Sequence, residues 1–80
     1  MDKKEIEEKV NQFLVEEFEV DENALAPEAR IKQDLGIDSL DVVDIVVEVE
    51  KVFGCRLKAE EIKGVVVLSQ LYDLIETKVA

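Results

Sequence analysis

The sequence lacks histidine and tryptophan, and its 80 residues include one cysteine, one proline and one tyrosine. A chain without histidine and with a single cysteine lacks the ligands and bases of the common zinc, haem and Ser/His/Asp sites. Cys55 has no partner for an internal disulfide, so nothing in the sequence requires an oxidising compartment. The longest apolar run, residues 65–68, is four residues, far shorter than a membrane span. These scarcities argue against a metalloenzyme, a disulfide scaffold and a membrane-spanning protein.

Basic residues are also scarce, since the chain has 10 basic and 20 acidic residues. Its net charge is therefore −10. A field of this sign repels the phosphates of nucleic acids and of anionic lipid headgroups. The hydrophobic fraction of 48% is typical of a globular domain rather than a disordered chain. The N-terminus turns amphipathic at once and lacks the apolar core of a signal peptide. We therefore expect one small domain over residues 1–80, cytoplasmic and monomeric, with basic protein partners and no insertion into membranes.

Apolar periodicity predicts an all-α fold, a small bundle of three main helices plus one short helix. The main helices are expected over residues 2–18, over residues 39–53 and from the valine run at residues 65–67 onward, and the short one over residues 59–63. We place the β-branched run of residues 65–67 in a connection and at the start of the last helix, because no second strand candidate exists to pair with it. The apolar face of the last helix consists of Leu68, Leu71, Tyr72, Ile75 and Val79.

A long segment without a sustained period, residues 19–38, joins the first and second helices. Loops of this length in small domains are usually functional or packed by their own side chains. Leu25, Ile31, Leu35 and Ile37 are available for such packing, so we expect an ordered loop.

Two apolar stripes follow the second helix, although one stripe is enough to fold a helix onto a core. The broad stripe is expected to face the core and contains Val42, Ile45, Val46, Val49, Val52 and Phe53. The narrow stripe lies nearly opposite, bordered by charged residues, and contains Leu40, Val43 and Val47. Surplus apolar surface with a charged rim is typical of a docking site for another protein.

Ser39 stands at the start of the second helix, directly after Asp38 and a glycine-containing loop. The first position of a helix projects into solvent, and the positive end of the helix dipole favours a negative group there. A phosphate ester on Ser39 suits this place, whereas the simpler interpretation is that Asp38 or Ser39 only caps the helix. No histidine or lysine lies close in sequence to act as a base for the Ser39 hydroxyl.

Residues 34–41 read Asp-Leu-Gly-Ile-Asp-Ser-Leu-Asp, which resembles the phosphopantetheine attachment site of acyl carrier proteins. The resemblance covers essentially the whole chain, from the first amphipathic helix through the long loop to the last helix. It implies a carrier rather than an enzyme, with phosphopantetheine attached to Ser39 after transfer from coenzyme A. Acyl groups would then be attached to the thiol of that arm as thioesters, in fatty-acid or related lipid biosynthesis.

The resemblance also implies partners and their contact residues. The partners are a phosphopantetheinyl transferase and the ketosynthase, acyltransferase, reductase and dehydratase enzymes of acyl synthesis. The residues expected to meet them are Asp38, Leu40, Asp41, Val43, Asp44, Val47, Glu48 and Glu50. The residues expected to line the core, which in this family can open to take in the acyl chain, are Val46, Val49, Leu57, Ile62, Leu68 and Leu71. The sequence departs from the pattern of fatty-acid carriers at Lys51 and Val52, where an acidic residue is common.

Three other interpretations compete with a fatty-acid carrier. A specialised carrier for polyketide, hydroxyacyl, amino-acyl or peptidyl groups shares the serine, although carriers of amino acids and peptides are generally less acidic. A helical adaptor explains the acidic helices and the narrow stripe but not a serine within this string. A calcium loop counted from Asp34 fails, because its sixth residue is Ser39 rather than glycine and its twelfth is Ile45 rather than glutamate. No metal is expected.

Overall fold

The computed structural model describes residues 2–79 and confirms the all-α class. Its helices are α1 (Lys3–Phe18), α2 (Ser39–Phe53), α3 (Ala59–Lys63) and α4 (Leu68–Val79), with a 3₁₀ turn at Glu22–Ala24 between α1 and α2. Within this part of the chain the only β-type pairing is a single antiparallel bridge between Arg30 and Val67. None of these helices is long and apolar enough to cross a membrane.

Local signals at the helix ends explain why the predicted bounds agree with the structure. The Asp2 carboxylate accepts a hydrogen bond of 2.9 Å from the backbone N–H of Glu5 and so caps α1. α2 ends at Gly54, whose φ of 70° lies in the left-handed region that glycine adopts without strain. The N–H of Gly54 donates to the carbonyl of Glu50 at 3.0 Å, which satisfies one of the last free carbonyls of the helix.

One core joins all four helices and the long loop. Its fully buried side chains come from α1, α2, α4 and the end of the loop, namely Ile6, Val10, Leu14, Ile37, Ile45, Val49, Leu68, Leu71 and Ile75. The hydroxyl of Tyr72 on α4 donates a hydrogen bond to the side-chain oxygen of Asn11 on α1. Burial of this apolar surface is the main favourable term in folding so small a domain.

The long loop is ordered and packed by its own side chains, as predicted. Ile31, Leu35 and Ile37 are buried, and Leu25 is half-buried. Backbone hydrogen bonds tie the loop to the turn before α4, since Leu68 donates to the Ala29 carbonyl at 2.9 Å. This pairing holds the loop against the segment that connects α3 and α4.

The predicted core face of α2 is wrong at Val52, which is 37% exposed. Ile45 and Val49 are buried as expected, whereas Val42, Val46 and Phe53 are only half-buried. Periodicity gives the direction in which a side chain points, but it does not say how far the neighbouring elements extend along the helix. The β-branched run of residues 65–67 lies in a connection as predicted, but the expectation that it also begins the last helix is wrong, since α4 begins at Leu68. The N–H groups of Val66 and Val67 donate to the Gln70 side chain ahead of the helix, and the bridge from Val67 to Arg30 was not expected.

Candidate functional site

A reciprocal pair of hydrogen bonds fixes the start of α2. The Asp38 carboxylate accepts from the backbone N–H groups of Leu40 and Asp41, at 2.9 and 3.0 Å. In return the Asp41 carboxylate accepts from the backbone N–H of Asp38 at 3.4 Å. This arrangement is a capping box, and it makes Ser39 the first helical residue.

Ser39 is exposed, and within residues 2–79 its hydroxyl takes part in no hydrogen bond. The helix cap is supplied by Asp38, so the Ser39 side chain is not needed to satisfy the backbone. An exposed hydroxyl that has no structural duty fits the attachment of a bulky group, because no native contact is lost when the oxygen becomes an ester. The residues present therefore fit a phosphopantetheine arm at this position.

Ser39 also lines a cavity of about 500 Å³ between α2, α3 and the two loops that meet beside them. This volume is in the range of cavities that hold small-molecule ligands. Most of its wall is apolar, and the lining residues are Ile31, Lys32, Gln33, Ser39, Val42, Val43, Ile45, Ala59, Ile62, Lys63, Val65 and Val66. A group attached to Ser39 thus begins at the edge of an apolar space.

The narrow stripe of α2 is exposed, as predicted. Leu40 is 79% exposed, Val43 61% and Val47 45%. Large apolar side chains on one face of a helix, beside the Ser39 hydroxyl, form a surface suited to contact with a partner protein.

The acidic residues of α2 differ in how far they are neutralised within the chain. Glu48 is half-buried and lies 3.8 Å from the ammonium group of Lys51, and Glu50 lies 3.6 Å from the guanidinium of Arg56. Asp44 is exposed and forms no ion pair with any other residue in the range 2–79. Among the predicted contact residues, Asp44 therefore offers an uncompensated charge to a basic partner.

The structure separates the six residues predicted to line the core and receive an acyl chain. Ile62 lines the cavity beside Ser39. Val49, Leu57, Leu68 and Leu71 are buried in the core and are not part of that wall, and Val46 is half-buried. The wall of the apolar space beside Ser39 instead comes from α2, α3, the end of the long loop and the connection after α3.

Asp34, the first residue of the eight-residue string, has a structural partner. Its carboxylate accepts from the Arg30 backbone N–H at 2.8 Å and from the Arg30 guanidinium at 3.2 and 3.3 Å. These hydrogen bonds to Arg30 hold the pKa of the Asp34 carboxyl below its ordinary value. Asp34 thus stabilises the turn between Arg30 and Asp34 that precedes α2.

The cavity contains residues that sequence reasoning missed, above all Lys32, Lys63, Val65 and Val66. No local signal marks them, because they meet only after the long loop packs against the connection between α3 and α4. Neither lysine is hydrogen-bonded to the Ser39 hydroxyl. Ser39 and two lysines therefore share the wall of one cavity.

Comparison with known proteins identifies the family. Residues 8–75 match the family model described as the phosphopantetheine attachment site, and this match includes α2 and the whole cavity wall. The chain belongs to the acyl carrier protein family. It is 33% identical over 94% of its length to an acyl carrier protein of Rubrobacter xylanophilus, 93% of which is covered. It is also 35% identical over its full length to an acyl carrier protein of Thermosynechococcus vestitus, 99% of which is covered.

A third relative, the acyl carrier protein of Saccharopolyspora erythraea, is 34% identical over 92% of the chain, with 78% of that protein covered. Acyl carrier proteins are carriers rather than enzymes, and they bear a phosphopantetheine prosthetic group. Their function requires contact with the enzymes of acyl synthesis. The resemblance that the Asp-Ser-Leu string suggested is therefore confirmed at the level of the family, the cofactor and the carrier function.

Proposed function

We propose that Ser39 is the residue that carries phosphopantetheine, and that acyl chains are held as thioesters on the thiol of that arm. The observation that carries this proposal is the Ser39 hydroxyl, which is exposed at the start of α2, unused in hydrogen bonds within residues 2–79 and set beside the cavity. Ser69, the other serine, is half-buried on α4.

The attachment is a phosphoryl-group transfer in which Ser39 is a substrate. A bond forms between its side-chain oxygen and the pantetheine phosphorus of coenzyme A, while the pyrophosphate bond of coenzyme A breaks and the adenosine bisphosphate leaves. The hydroxyl proton passes to a base of the transferase, because none of the residues described here is hydrogen-bonded to the Ser39 oxygen as a base. The chain supplies an accessible hydroxyl at a rigid helix start.

The surface that meets the transferase and the acyl-synthesis enzymes is, in this proposal, the narrow stripe of α2 with its acidic border. Leu40, Val43 and Val47 supply exposed apolar contacts, and Asp44 supplies an uncompensated charge. Asp38, Asp41, Glu48 and Glu50 complete the proposed set. Exposed charge pairs contribute about 0.2–1 kcal/mol each, so they speed encounter and still allow rapid release.

A fatty-acid or related acyl pathway is the role that the composition and the cavity favour. The net charge of −10 exceeds what is usual for carriers of amino acids, and a mainly apolar cavity beside Ser39 suits a hydrocarbon chain. The ketosynthase, acyltransferase, reductase and dehydratase of such a pathway are the proposed partners, and the cytoplasm is the proposed location. Polyketide, hydroxyacyl, amino-acyl and peptidyl cargo are the alternatives.

The first test is modification by a promiscuous phosphopantetheinyl transferase and coenzyme A, followed by the intact mass. The wild type should gain one phosphopantetheine, Ser39→Ala none, and Ser69→Ala, the matched control, one. A gain by Ser39→Ala, or no gain by the wild type while a known carrier is modified, would sink the proposal.

The second test identifies the cargo. The protein is purified from the cells that express it naturally, and the masses of its acyl forms are measured. A series of forms that differ by two-carbon steps supports a fatty-acid carrier, whereas a single amino-acyl or hydroxyacyl form assigns a specialised role. Fractionation of the same cells tests the cytoplasmic location.

A further inference from the structure

The cavity beside Ser39 has a charge opposite to that of the protein as a whole. Acidic residues outnumber basic ones by two to one in the chain, yet the described residues that line the cavity include two lysines and no acidic residue. Lys32 lies in the turn before α2, and Lys63 is the last residue of α3. Both are exposed, and neither forms an ion pair with another residue of the described chain. Two lysines without ion-pair partners thus border a mainly apolar cavity.

The start of α2 is occupied by the protein's own carboxylates. A helix start usually offers free N–H groups to a phosphate, but here those of Leu40 and Asp41 already donate to the Asp38 carboxylate. The N–H of Val42 donates to the Asp38 carbonyl at 3.1 Å. An anion on Ser39 therefore finds few backbone donors, and it lies between two residues, Asp38 and Asp41, whose charge repels it.

We propose that Lys32 and Lys63 bind the phosphodiester of the arm on Ser39 and thereby hold the arm over the cavity. This inference rests on the proposed attachment at Ser39. The two ammonium groups offset the repulsion from Asp38 and Asp41, and they favour an arm that lies along the apolar wall over one that extends into solvent. The lysines thus set the equilibrium between a sheltered arm, which lies along the cavity wall, and an arm extended into solvent.

The experiment uses the holo protein with a free arm thiol and follows the phosphorus NMR signal of its phosphodiester. The variants are Lys32→Gln, Lys63→Gln and the double variant, and the matched control is Lys4→Gln/Lys9→Gln, which removes the same charge from α1. A second readout is the nuclear Overhauser contact between the pantetheine methyl groups and Val66 on the cavity wall. Spectra of the urea-unfolded holo protein give the signal of a free phosphodiester.

In the wild type the phosphorus chemical shift should differ from that of the unfolded protein and should move toward the unfolded value as salt is added. In the double variant the population of sheltered arm should fall roughly two- to fivefold, with weaker contacts to Val66. Each single variant should show part of this loss, which keeps the test decisive if the double variant folds poorly. The control should behave as the wild type.

Each other outcome overturns the inference. An equal loss in the control shows an effect of net charge alone, and an unchanged double variant shows that the lysines do not bind the phosphodiester. A carboxylate on the acyl cargo could also bind the two lysines, and the free-thiol form carries no such carboxylate. If the lysine variants change the NMR signals only after the arm is loaded with succinyl groups, the lysines bind the cargo and not the phosphodiester. Failure of Ser39 to accept the arm defeats the proposed function as well, and the intact mass reveals it before any NMR measurement.

Discussion

Asp38 and Asp41 cap each other, since each carboxylate accepts a hydrogen bond from the other residue's backbone N–H. The distances are 3.0 Å toward Asp38 and 3.4 Å toward Asp41. This reciprocal bond fixes the first turn of α2 and leaves the side chain of Ser39, between them, without a structural role. Substitutions at Asp38 can separate the effect of its charge from the effect of its hydrogen bonds.

Asp38→Asn should preserve stability, whereas Asp38→Ala should not. Asparagine keeps an acceptor oxygen for the N–H groups of Leu40 and Asp41, while alanine removes the cap at a cost of about 0.5–2 kcal/mol. Both variants lose the charge, so both should slow modification by the transferase. Urea unfolding and modification rates measure the two effects. Equal destabilisation by Asn and Ala would show that the charge, not the hydrogen bond, stabilises the helix start.

Val49→Ala and Val47→Ala should fail in different ways, because the two side chains lie on opposite faces of α2. Val49 is fully buried, so its truncation leaves a cavity and should cost on the order of 1–3 kcal/mol. Val47 is 45% exposed, so its truncation should cost under about 0.5 kcal/mol while slowing modification. Melting curves and modification rates on both variants test this. Matching losses of stability, with normal modification of Val47→Ala, would show that the narrow stripe is not a docking surface.

Asp34 should contribute stability that disappears in acid. Hydrogen bonds from Arg30 lower the pKa of Asp34 below its ordinary 3.8, so the folded state favours the charged form. This contribution is present above pH 3.8 and is lost as the pH falls through the lower, folded-state pKa. The difference in unfolding free energy between the wild type and Asp34→Asn should therefore stay constant above about pH 5 and shrink as the pH falls through about 4 and below.

Arg30→Gln is the control for this prediction, because it removes the guanidinium donors and leaves the carboxylate and the backbone N–H of residue 30. In that background Asp34→Asn should produce a smaller pH-dependent difference, since only the backbone hydrogen bond still lowers the pKa of Asp34. A difference that persists unchanged without the guanidinium would mean that the Arg30 side chain is not the cause of the lowered pKa.

Tyr72 should limit stability in alkali. Burial, with a smaller effect from Glu7, raises the pKa of Tyr72 from 10.0 to about 12. The folded state thus favours the neutral phenol, and this contribution is present below pH 10.0 and is lost as the pH rises toward 12. Because the chain has one tyrosine and no tryptophan, phenolate absorbance reports this group alone.

Tyr72→Phe supplies the comparison. It should lose about 0.5–1.5 kcal/mol at neutral pH with the hydrogen bond to Asn11, and it should lack the tyrosine part of the alkaline transition. A wild-type phenol that titrates near 10 while the protein stays folded would contradict the burial of its hydroxyl.

The helices could be predicted from the sequence because their signals are local. Asp2, Asp38 and Gly54 mark helix ends, and the apolar spacing of α1 and α4 gives their buried faces. The exposure of the narrow stripe could also be predicted from local spacing, because only one apolar face of α2 can pack on the core. The position of Ser39 at the first turn of α2 follows directly from the capping residue before it.

The cavity could not be predicted, because it depends on pairing between distant segments. Ile31 donates to the Val66 carbonyl at 2.9 Å and Ser69 to the Pro27 carbonyl at 2.8 Å. These hydrogen bonds hold the long loop against the segment between α3 and the start of α4. Apolar periodicity gives no information on this pairing of distant segments. Val42 both packs against the core and lines this cavity, so one apolar stripe of α2 serves two environments.

Fragment mass spectrometry of the modified wild type locates the phosphopantetheine on one residue and so decides whether Ser39 is the attachment site. The whole added mass is expected on Ser39 and none on Ser69, Thr77 or Tyr72, the other hydroxyl residues of the chain. Phosphopantetheine found on any of those three, with Ser39 unmodified, would contradict the assignment to Ser39.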